Sequence, residues 1–240
     1  MKLVIITGGS KGLGKALVRT YCLQDFKVIN ISRTNSCLIH NNLLRNLNYD
    51  LTNIESLDSL TKEITSIIQN NKYKEVILIN NAGTLGNITT NKNDTLKNSN
   101  DTIKLNLTAP LILTSFVTKL FIDTKISVYN ISSGAATTPY FGWSNYNATK
   151  AGLLIATKSI ALEQEYNANF KIFSIIPGVM DTQMQKQIRN SKKENFSQLD
   201  KFTSMKEEGL LLNPLDIALK IYNIRRMNYK SGYTINLKHI

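Results

Sequence analysis

The chain has 240 residues, of which 42% are hydrophobic, which is enough to build one α/β domain with a full core. Its formal net charge of +12 is scattered along the chain, which favours a basic surface that attracts an anionic ligand over a surface that binds nucleic acid. No apolar run approaches the ~18 residues of a membrane span, and residues 3–6 are too few for a signal-peptide core, so a cytoplasmic protein without a membrane partner is expected.

Two sequence patterns alternate from end to end. Short apolar runs rich in β-branched residues predict buried parallel strands over residues 2–7, 27–32, 46–51, 75–80, 125–131, 170–176 and 233–237. Apolar residues at helical spacing predict helices over residues 13–23, 54–69, 102–121 (with a bend at Pro110), 144–166 and 214–223. The alternation predicts a single Rossmann-type, doubly wound α/β domain over residues 1–240, with a parallel sheet of about seven strands and helices on both faces.

Two connections depart from this alternation. The segment between the second and third strands is short and rich in Asn, so its helix is expected to be shortened. Residues 183–209 are polar and irregular, and we expect a helical excursion that acts as a mobile lid over a substrate site. The two cysteines, Cys22 and Cys37, are too few for a disulfide framework and lack Cys-x-x-Cys spacing. The two histidines, His40 and His239, lie far apart in the sequence, so no metal site is predicted.

A glycine-rich octet, TGGSKGLG at residues 7–14, joins the first strand to the first helix. Glycines at this spacing permit a tight turn and a close approach of the backbone to a diphosphate, and the helix start offers unpaired N–H groups. The position between a strand and a helix is the context that a nucleotide-binding motif requires; a plain strand–helix turn is the alternative. The candidate contacts are Gly8, Ser10, Lys11, Gly12, Leu13 and Gly14.

The second strand ends in Ile31-Ser32-Arg33-Thr34, without a carboxylate to accept hydrogen bonds from a ribose 2′-hydroxyl. Arg33 can instead pair bidentately with a 2′-phosphate, and Lys11 adds a second cation. We therefore predict NADP(H) rather than NAD(H), with Arg33 and Thr34 among its contacts. An ordinary exposed arginine at a strand end is the alternative for Arg33.

Two further strand ends are candidates for the same site. Asp50 ends the third predicted strand and could contact the adenine amine, with Leu51 beside it; capping of the following helix is the alternative for Asp50. The fourth strand ends in small and amide residues, which let the backbone pass close to a ribose, and Asn side chains there can also tie parallel strands together. The contacts predicted there are Asn81, Ala82 and Gly83.

The most informative pattern in the sequence is the set Ser133, Tyr146 and Lys150. Tyr146 and Lys150 are four residues apart in a predicted helix and so lie on one face, while Ser133 follows the fifth strand. A phenol, an ammonium and a hydroxyl placed side by side can move a proton to or from a carbonyl oxygen near neutral pH. A lone Ser or Tyr is usually structural, but the full set at this spacing indicates catalysis.

These motifs occur in the same order in short-chain dehydrogenases/reductases, which the chain resembles over essentially its full length. They are TGGSKGLG, NNAG, the Asn of KLNLTAP, Ser133, YNATK and PGVMDT. Within that family the chain most resembles bacterial benzil reductases that form (S)-benzoin, relatives of sepiapterin reductase, through NLTAP, ISSGAA followed by PYFGW, and SIIPGVMDTQMQ. The resemblance implies an NADP-dependent oxidoreductase acting on CH–OH/C=O groups, and a homodimer that pairs through the helices at 102–121 and 144–166.

The resemblance also implies a role for each catalytic residue. Tyr146 donates the proton, and Lys150 with the positive nicotinamide of the oxidised cofactor lowers its pKa from about 10 towards neutrality, since a charge at ~4 Å is worth roughly three pKa units. Lys150 also binds the nicotinamide ribose, and Ser133 hydrogen-bonds the substrate carbonyl oxygen. Asn106 holds a water that links Lys150 to solvent; bridging of backbone groups in a bent helix is the alternative for Asn106.

The loop after the sixth strand is implied to meet the nicotinamide carboxamide and to select the pro-S hydride. Its predicted contacts are Pro177, Gly178, Val179 and Thr182, whereas Asp181 is interpreted as a helix cap. An aromatic and Met-rich wall suits a flat, apolar carbonyl compound, with core packing as the alternative. The predicted substrate contacts are Ser133, Ala135, Tyr140, Trp143, Met180 and Met184, with Phe141 nearby.

Three functions remain open. The first, which the resemblance implies, is an NADPH-dependent carbonyl reductase of aromatic or vicinal diketones such as benzil. The second is a pteridine (sepiapterin-like) or 3-oxoacyl reductase. The third is an NADP(H)-sensing binding protein that has lost turnover, which the intact catalytic set disfavours because a sensor needs no proton donor. The expected partners are a small-molecule carbonyl substrate and a second copy of the chain.

Overall fold

The computed structural model describes residues 1–35 and 42–240. Its centre is a seven-stranded sheet in the order β3-β2-β1-β4-β5-β6-β7, and every neighbouring pair is parallel. The strands are β1 (Lys2–Thr7), β2 (Lys27–Ser32), β3 (Leu44–Asn48), β4 (Glu75–Asn80), β5 (Lys125–Ile131), β6 (Phe170–Ile176) and β7 (Thr234–Asn236). The strand order reverses between β1 and β4, which opens a crevice at the carboxyl ends of these strands.

Helices cover both faces of the sheet. They are α1 (Gly12–Cys22), α2 (Leu57–Ile68), α3 (Leu96–Ile103), α4 (Ala109–Leu120), α5 (Ser144–Glu163), α6 (Gln183–Arg189), α7 (Leu199–Glu207) and α8 (Pro214–Ile224). Side chains such as Leu17 of α1 and Ile221 of α8 form the core on one face, and Leu60 of α2 and Leu113 of α4 form the core on the other. The prediction of a doubly wound domain is confirmed.

The region predicted as one bent helix over residues 102–121 differs most from expectation. Two helices, α3 and α4, are separated by a π-helical turn, Lys104–Thr108. Pro110 lies in the first turn of α4 directly after the π-helical turn, so the proline without an N–H stands where the helical hydrogen-bond pattern changes, and the bend expected there stays a prediction. The start of α3 at Leu96 was not predicted.

Several expectations concern residues outside the described part. Cys37 and His40 lie in the segment 36–41, as does much of the predicted shortened helix after β2. Among the residues that the structure describes, no group of three His, Cys, Asp or Glu side chains is placed to hold a metal ion. None of the helices given above combines the length and the hydropathy needed to cross a bilayer.

Asparagine side chains tie neighbouring strands together near the crevice. Asn30 Nδ2 donates to Asn46 Oδ1 (2.8 Å) between β2 and β3, and Asn80 Nδ2 donates to Asn130 Oδ1 (2.8 Å) between β4 and β5. These four residues lie in the sheet, where their amides fix the lateral position of the strand ends. The strand-tying role predicted for the Asn side chains at the end of the fourth strand is confirmed for Asn80.

Candidate active site

A cavity of about 840 Å³ lies over the carboxyl ends of the strands. All the predicted cofactor contacts line it: Gly8, Ser10, Lys11, Gly12, Leu13, Gly14, Arg33, Thr34, Asp50, Leu51, Asn81, Ala82, Gly83, Tyr146, Lys150, Pro177, Gly178, Val179 and Thr182. At the other end it is lined by Ser133, Tyr140, Trp143, Met180 and Met184. The sequence motifs thus converge on one continuous space of a size suited to a cofactor with a small substrate.

The glycine loop is positioned by hydrogen bonds from two neighbouring strand ends. Gly8 N donates to the Ile31 carbonyl of β2 (2.7 Å), and Asn81 Nδ2, just after β4, donates to the Thr7 carbonyl (2.9 Å). The loop therefore has a fixed place between β2 and β4, at the point where the strand order reverses.

Glycine is required at two positions of this loop. Gly8 has φ +72°, and a Cβ there would lie 2.9 Å from Ala82 Cα. A Cβ on Gly14 would lie 2.1 Å from the Gly8 carbonyl oxygen. Helix α1 begins at Gly12 with neither a side-chain cap nor an acidic residue in its first turn. Its free amides and the close-packed backbone fit a diphosphate.

The cations predicted to select NADP(H) lie where the cavity passes the end of β2. The Arg33 side chain is 72% exposed, and its Nη1 is 4.0 Å from Asp50 Oδ2. Lys11 lines the same part of the cavity, in the glycine loop. An exposed guanidinium beside a second cation fits a phosphate monoester, although Asp50 competes for the guanidinium.

Asp50 does not cap the helix that follows, which was its alternative, because neither the 3-10 turn Ile54–Ser56 nor α2 has a side-chain cap; it closes a local turn instead. Its Oδ1 accepts hydrogen bonds from Thr52 N (3.0 Å) and Thr52 Oγ1 (2.8 Å). Partial burial raises the pKa of the Asp50 carboxyl, but these hydrogen bonds and the Arg33 charge outweigh burial and lower it overall. Asp50 also lines the cavity, so an ionised carboxylate faces the space near Arg33.

Ser133, Tyr146 and Lys150 lie together on one wall of the cavity. Ser133 Oγ accepts from Ala135 N (3.2 Å) in the turn after β5 and also makes a hydrogen bond with the Tyr146 side chain. Tyr146 and Lys150 lie in the first two turns of α5. Lys150 Nζ donates to the Ile131 carbonyl (2.8 Å) and is 5.7 Å from the centre of the Tyr146 ring. One face of α5 thus presents the phenol and the ammonium, as predicted.

Burial has the largest influence on the pKa values of both Tyr146 and Lys150. It raises the pKa of the Tyr146 phenol above its ordinary value, and the Ser133 hydrogen bond only partly opposes that rise. It lowers the pKa of the Lys150 ammonium from 10.5 to about 8. The fall of the Tyr146 pKa was expected from Lys150 together with an oxidised nicotinamide, so it stays a prediction for the cofactor-bound protein. At neutral pH Tyr146 is a neutral phenol.

Asn106 lies in the π-helical turn and is fully buried, so it does not line the cavity. Its Oδ1 accepts from Thr84 N (2.9 Å), and its Nδ2 donates to the Thr84 carbonyl (2.8 Å) and to Thr149 Oγ1 (3.2 Å). The side chain therefore bridges backbone groups, which was the alternative. A Cβ on Gly83 would lie 3.3 Å from Asn106 Oδ1 and 3.7 Å from Lys150 Nζ, so glycine leaves a small space between these atoms.

The loop after β6 runs beside the glycine loop. Thr182 Cγ2 lies 3.3 Å from where a Cβ on Gly12 would stand, which brings the two loops together. Val179 O accepts from Leu212 N (2.9 Å), which fixes the loop from outside the cavity. Asp181 does not cap α6 as interpreted, since its Oδ2 lies 2.6 Å from Lys206 Nζ of α7.

Aromatic rings close the substrate end of the cavity. Trp143 stacks between Tyr140 and Phe196, with ring centres 4.8 Å apart on each side. It meets Tyr146 edge-on at 5.5 Å and Phe202 at 5.7 Å. Two predicted positions do not belong to this wall. Ala135 is buried in the aromatic cluster and does not line the cavity, and Phe141 is half exposed outside it.

Residues 183–209 form the predicted helical excursion, here called the flap, which contains α6 and α7. Gln187 Nε2 donates to the Gly86 carbonyl (2.9 Å), so the flap contacts the opposite rim of the cavity. Gly142, with φ +80°, faces the flap backbone so closely that a Cβ there would lie 2.0 Å from the Asn195 carbonyl oxygen. The backbone of the flap thus packs directly against the backbone of the segment before Tyr146.

Several lining residues were not predicted. The flap contributes Gln183, Gln185, Gln187, Ile188 and Phe202, and other elements contribute Leu85, Gly134, Asn236 and Lys238. The i, i+3 spacing of Gln185 and Ile188 could have placed both on one face of α6. No local signal identifies Lys238, because it reaches the cavity only through the pairing of β7 with β6.

Two curated proteins named benzil reductase ((S)-benzoin forming) are similar to this chain. That of Bacillus cereus is 38% identical, with 93% of this chain and 94% of that protein covered. That of Bacillus subtilis (strain 168) is 36% identical, with 99% of each covered. A solved structure of 4-hydroxyisoleucine dehydrogenase complexed with NADH is 25% identical, with a TM-score of 0.81 over 98% of this chain and 96% of that one.

The family profile described as short chain dehydrogenase matches residues 2–193. This span runs from β1 into the flap and contains the glycine loop, the strand ends, Ser133, Tyr146 and Lys150. It therefore includes the whole constellation that the fold brings to the cavity wall. The chain belongs to the short chain dehydrogenase family, whose members are oxidoreductases that use nicotinamide cofactors to interconvert carbonyl and hydroxyl groups.

Proposed function

We propose that this protein is an NADPH-dependent reductase of aromatic or vicinal diketones, which reduces one carbonyl of a benzil-type compound to an (S)-hydroxyketone with Tyr146 as proton donor. The observation that carries the proposal is the juxtaposition of Tyr146, Ser133 and Lys150 with an aromatic wall in one cavity. The similarity to proteins named benzil reductase supports the diketone class.

Bound NADPH would supply a hydride to the carbonyl carbon. The residues of the chain then have to orient the carbonyl and to protonate its oxygen. Ser133 and Tyr146 share a hydrogen bond, so a carbonyl oxygen placed between their hydroxyls can accept from both. Since burial keeps Tyr146 neutral, its Oη carries the proton that an alkoxide needs.

Lys150 supports the return of a proton to Tyr146. Its pKa of about 8 leaves it mostly protonated at neutral pH and able to exchange protons there. Asn106 Oδ1 and Lys150 Nζ lie 3.3 and 3.7 Å from the position that a Cβ on Gly83 would take, so the two groups are near enough for one water to contact both and to link the ammonium to solvent. Asn106 acts in this proposal as the group that fixes that water.

NADPH is proposed over NADH because of Arg33 and Lys11. No carboxylate follows β2 directly, and Asp50, the acid nearest to Arg33, is already engaged by Thr52. A 2′-phosphate would give Arg33 a stronger partner than the single, 4.0 Å contact with Asp50.

A homodimer is proposed through α4 and α5, as the family resemblance implies. Ile155 and Leu162, seven residues apart on one face of α5, are 59% and 70% exposed. Pairing with a second copy would bury this stripe. Sedimentation of wild type and Ile155→Asp tests this: a dimer that dissociates in the variant is expected, and a monomeric wild type contradicts it.

The proposed function is tested by NADPH consumption at 340 nm with benzil, sepiapterin and a 3-oxoacyl thioester. Benzil is expected to give the highest kcat/KM, and Tyr146→Phe to abolish consumption. Preference for sepiapterin or the thioester would replace the diketone proposal by the pteridine or 3-oxoacyl alternative. Tight NADPH binding without consumption of any carbonyl compound would support the sensing protein.

A further inference from the structure

Two asparagines flank Tyr146 in the first turn of α5, and neither has a role in the reaction proposed above. Asn145 and Asn147 are partly buried, and each ties the start of the helix to a different segment of the chain. Trp143, the N-cap residue of α5, makes no side-chain cap, and the first turn has no acidic residue. Because an uncapped helix start is less firmly held, contacts of these two side chains help to fix the position of Tyr146.

Asn147 ties α5 to the turn at residues 133–138, here called the Ser133 turn. Its Nδ2 donates to the Ala135 carbonyl (2.7 Å) and to the Thr138 carbonyl (2.7 Å), and its Oδ1 accepts from Tyr140 N (3.3 Å). Both hydrogens of the amide are therefore used. Since a carbonyl oxygen can only accept, the amide cannot be turned around without losing both donated bonds.

The Ser133 hydroxyl is held within the same turn. Ser133 Oγ accepts from Ala135 N (3.2 Å), so Asn147 contacts the carbonyl of the residue whose N–H holds this hydroxyl. Ser133 also makes its hydrogen bond with the Tyr146 side chain between the Ser133 turn and α5. The Asn147 amide and the Ser133–Tyr146 hydrogen bond thus join the same two elements.

Asn145 ties the start of α5 to a different place, the rim of the cavity. Its Nδ2 donates to Ser99 Oγ (2.9 Å) of α3 and to Asp94 Oδ2 in the loop before α3. Asp94 Oδ1 in turn accepts from Asn98 Nδ2 (2.6 Å), which closes a polar cluster on that side. Of the two asparagines, only Asn147 is hydrogen-bonded to the Ser133 turn within the part of the chain that the structure describes.

We propose that Asn147 is a positioning residue for proton transfer, which holds the Ser133 hydroxyl at hydrogen-bonding distance from the Tyr146 phenol. The two hydroxyls can then contact one carbonyl oxygen together while negative charge develops on it. This inference rests on the proposed role of Tyr146 as proton donor. It does not rest on the diketone class, because any carbonyl oxygen would need both hydroxyls.

The main test is Asn147→Ala, assayed with whichever of benzil, sepiapterin and the 3-oxoacyl thioester gives the highest kcat/KM in wild type. The variant is expected to lower kcat about tenfold and to change KM for NADPH less than about twofold, because the glycine loop keeps its place. Asn147→Asp has the same shape but no N–H group, so it tests the same bonds if the alanine variant does not fold. A wild-type kcat in either folded variant overturns the inference.

A double-mutant cycle with Ser133→Ala separates positioning from a general loss of order. If Asn147 acts by holding the Ser133 hydroxyl, Asn147→Ala should lower kcat less than about twofold once that hydroxyl has been removed. A loss that persists in full in the Ser133→Ala background overturns the inference. So does a Ser133→Ala variant with the kcat of wild type.

Asn145→Ala is the matched control, because it removes the same amide from the same helical turn without touching the Ser133 turn. It is expected to lower Tm as Asn147→Ala does but to change kcat less than about threefold. If it lowers kcat as much as Asn147→Ala, order of the helix start rather than the Ser133 turn limits the reaction, and the inference is wrong. Retained turnover in Tyr146→Phe instead overturns the proposed function itself.

Discussion

The two ends of the cavity differ in the kind of group that lines them: one is formed mainly by backbone and the other mainly by side chains. The cofactor end is made of backbone: glycines in contact with neighbouring main chain and amides held by strand ends. The substrate end is made of side chains, with aromatic rings from the segment before Tyr146 and from the flap stacked on Trp143. A backbone surface cannot be reshaped by exchanging side chains, whereas an aromatic wall can. The cofactor class is thus the more constrained property, and the substrate is the more variable one.

The largest expected effect comes from Tyr146→Phe, at the boundary between the two ends. Loss of the phenol proton should reduce kcat by about 10²–10⁴-fold, while the backbone-built end and its NADPH affinity stay intact. Energy transfer from Trp143, the single tryptophan, to NADPH measures the affinity. The exposed Tyr233→Phe is the control and should behave as wild type. Retained turnover in Tyr146→Phe would refute the mechanism.

Lys150→Met tests how much the buried ammonium of Lys150, which lies between the two ends of the cavity, lowers the free energy of unfolding. Burial lowers the Lys150 pKa to about 8, so between pH 8 and 10.5 the unfolded chain binds more protons than the folded one. Stability of the cofactor-free protein should therefore rise with pH over that window. The variant should lack this rise and be more stable at pH 7 by up to about 3 kcal/mol, measured by urea unfolding. A less stable variant at pH 7 would mean that the ammonium is not penalised by burial.

Gly14→Ala should damage the backbone-built end alone. The added Cβ would stand 2.1 Å from the Gly8 carbonyl oxygen, so the loop must shift. We expect a loss of about 1–3 kcal/mol in unfolding free energy and about tenfold weaker NADPH binding. Gly134→Ala is the matched control, since nothing lies within 4 Å of its Cβ position. If Gly14→Ala and Gly134→Ala had equal Tm values and equal Kd values for NADPH, the conclusion that close backbone packing determines the cofactor end would be contradicted.

The smallest expected effect comes from changing a side chain, rather than the backbone, of the cofactor end. Arg33 is exposed, so its contact with a phosphate is screened by solvent. Arg33→Ala should raise KM for NADPH about tenfold and leave KM for NADH nearly unchanged. Steady-state kinetics with both cofactors measure this difference, and equal changes would remove the basis for NADP(H) selectivity.

Sequence reasoning succeeded where the requirement is local. The glycine octet, the i, i+4 pair of Tyr146 and Lys150, and the strand ends are each determined by a few consecutive residues, and the fold brings them to one cavity. The start of α3 was missed because its residues are mostly polar. It depends on Thr95, which accepts from Asn98 N, and on Asp94, which accepts from Asn145 of α5.

Properties that arise from three-dimensional burial could not be predicted. The sequence did not show that burial raises the Tyr146 pKa and lowers the Lys150 pKa in the protein without cofactor, since the burial of both groups is set by distant elements. In the same way, the sequence left two roles open for Asn106, and the contacts of its amide with Thr84 and Thr149 follow only from the position of the π-helical turn.

The contact between Gly142 and the Asn195 carbonyl has a consequence for protein engineering. Since no side chain fits at residue 142 and the flap backbone fills that space, the two segments form a single module despite the 50 or so residues between them. Grafting a homologous flap to change the substrate should work only if residues 138–143 are transplanted with it. The same module can be exchanged without altering the glycine loop.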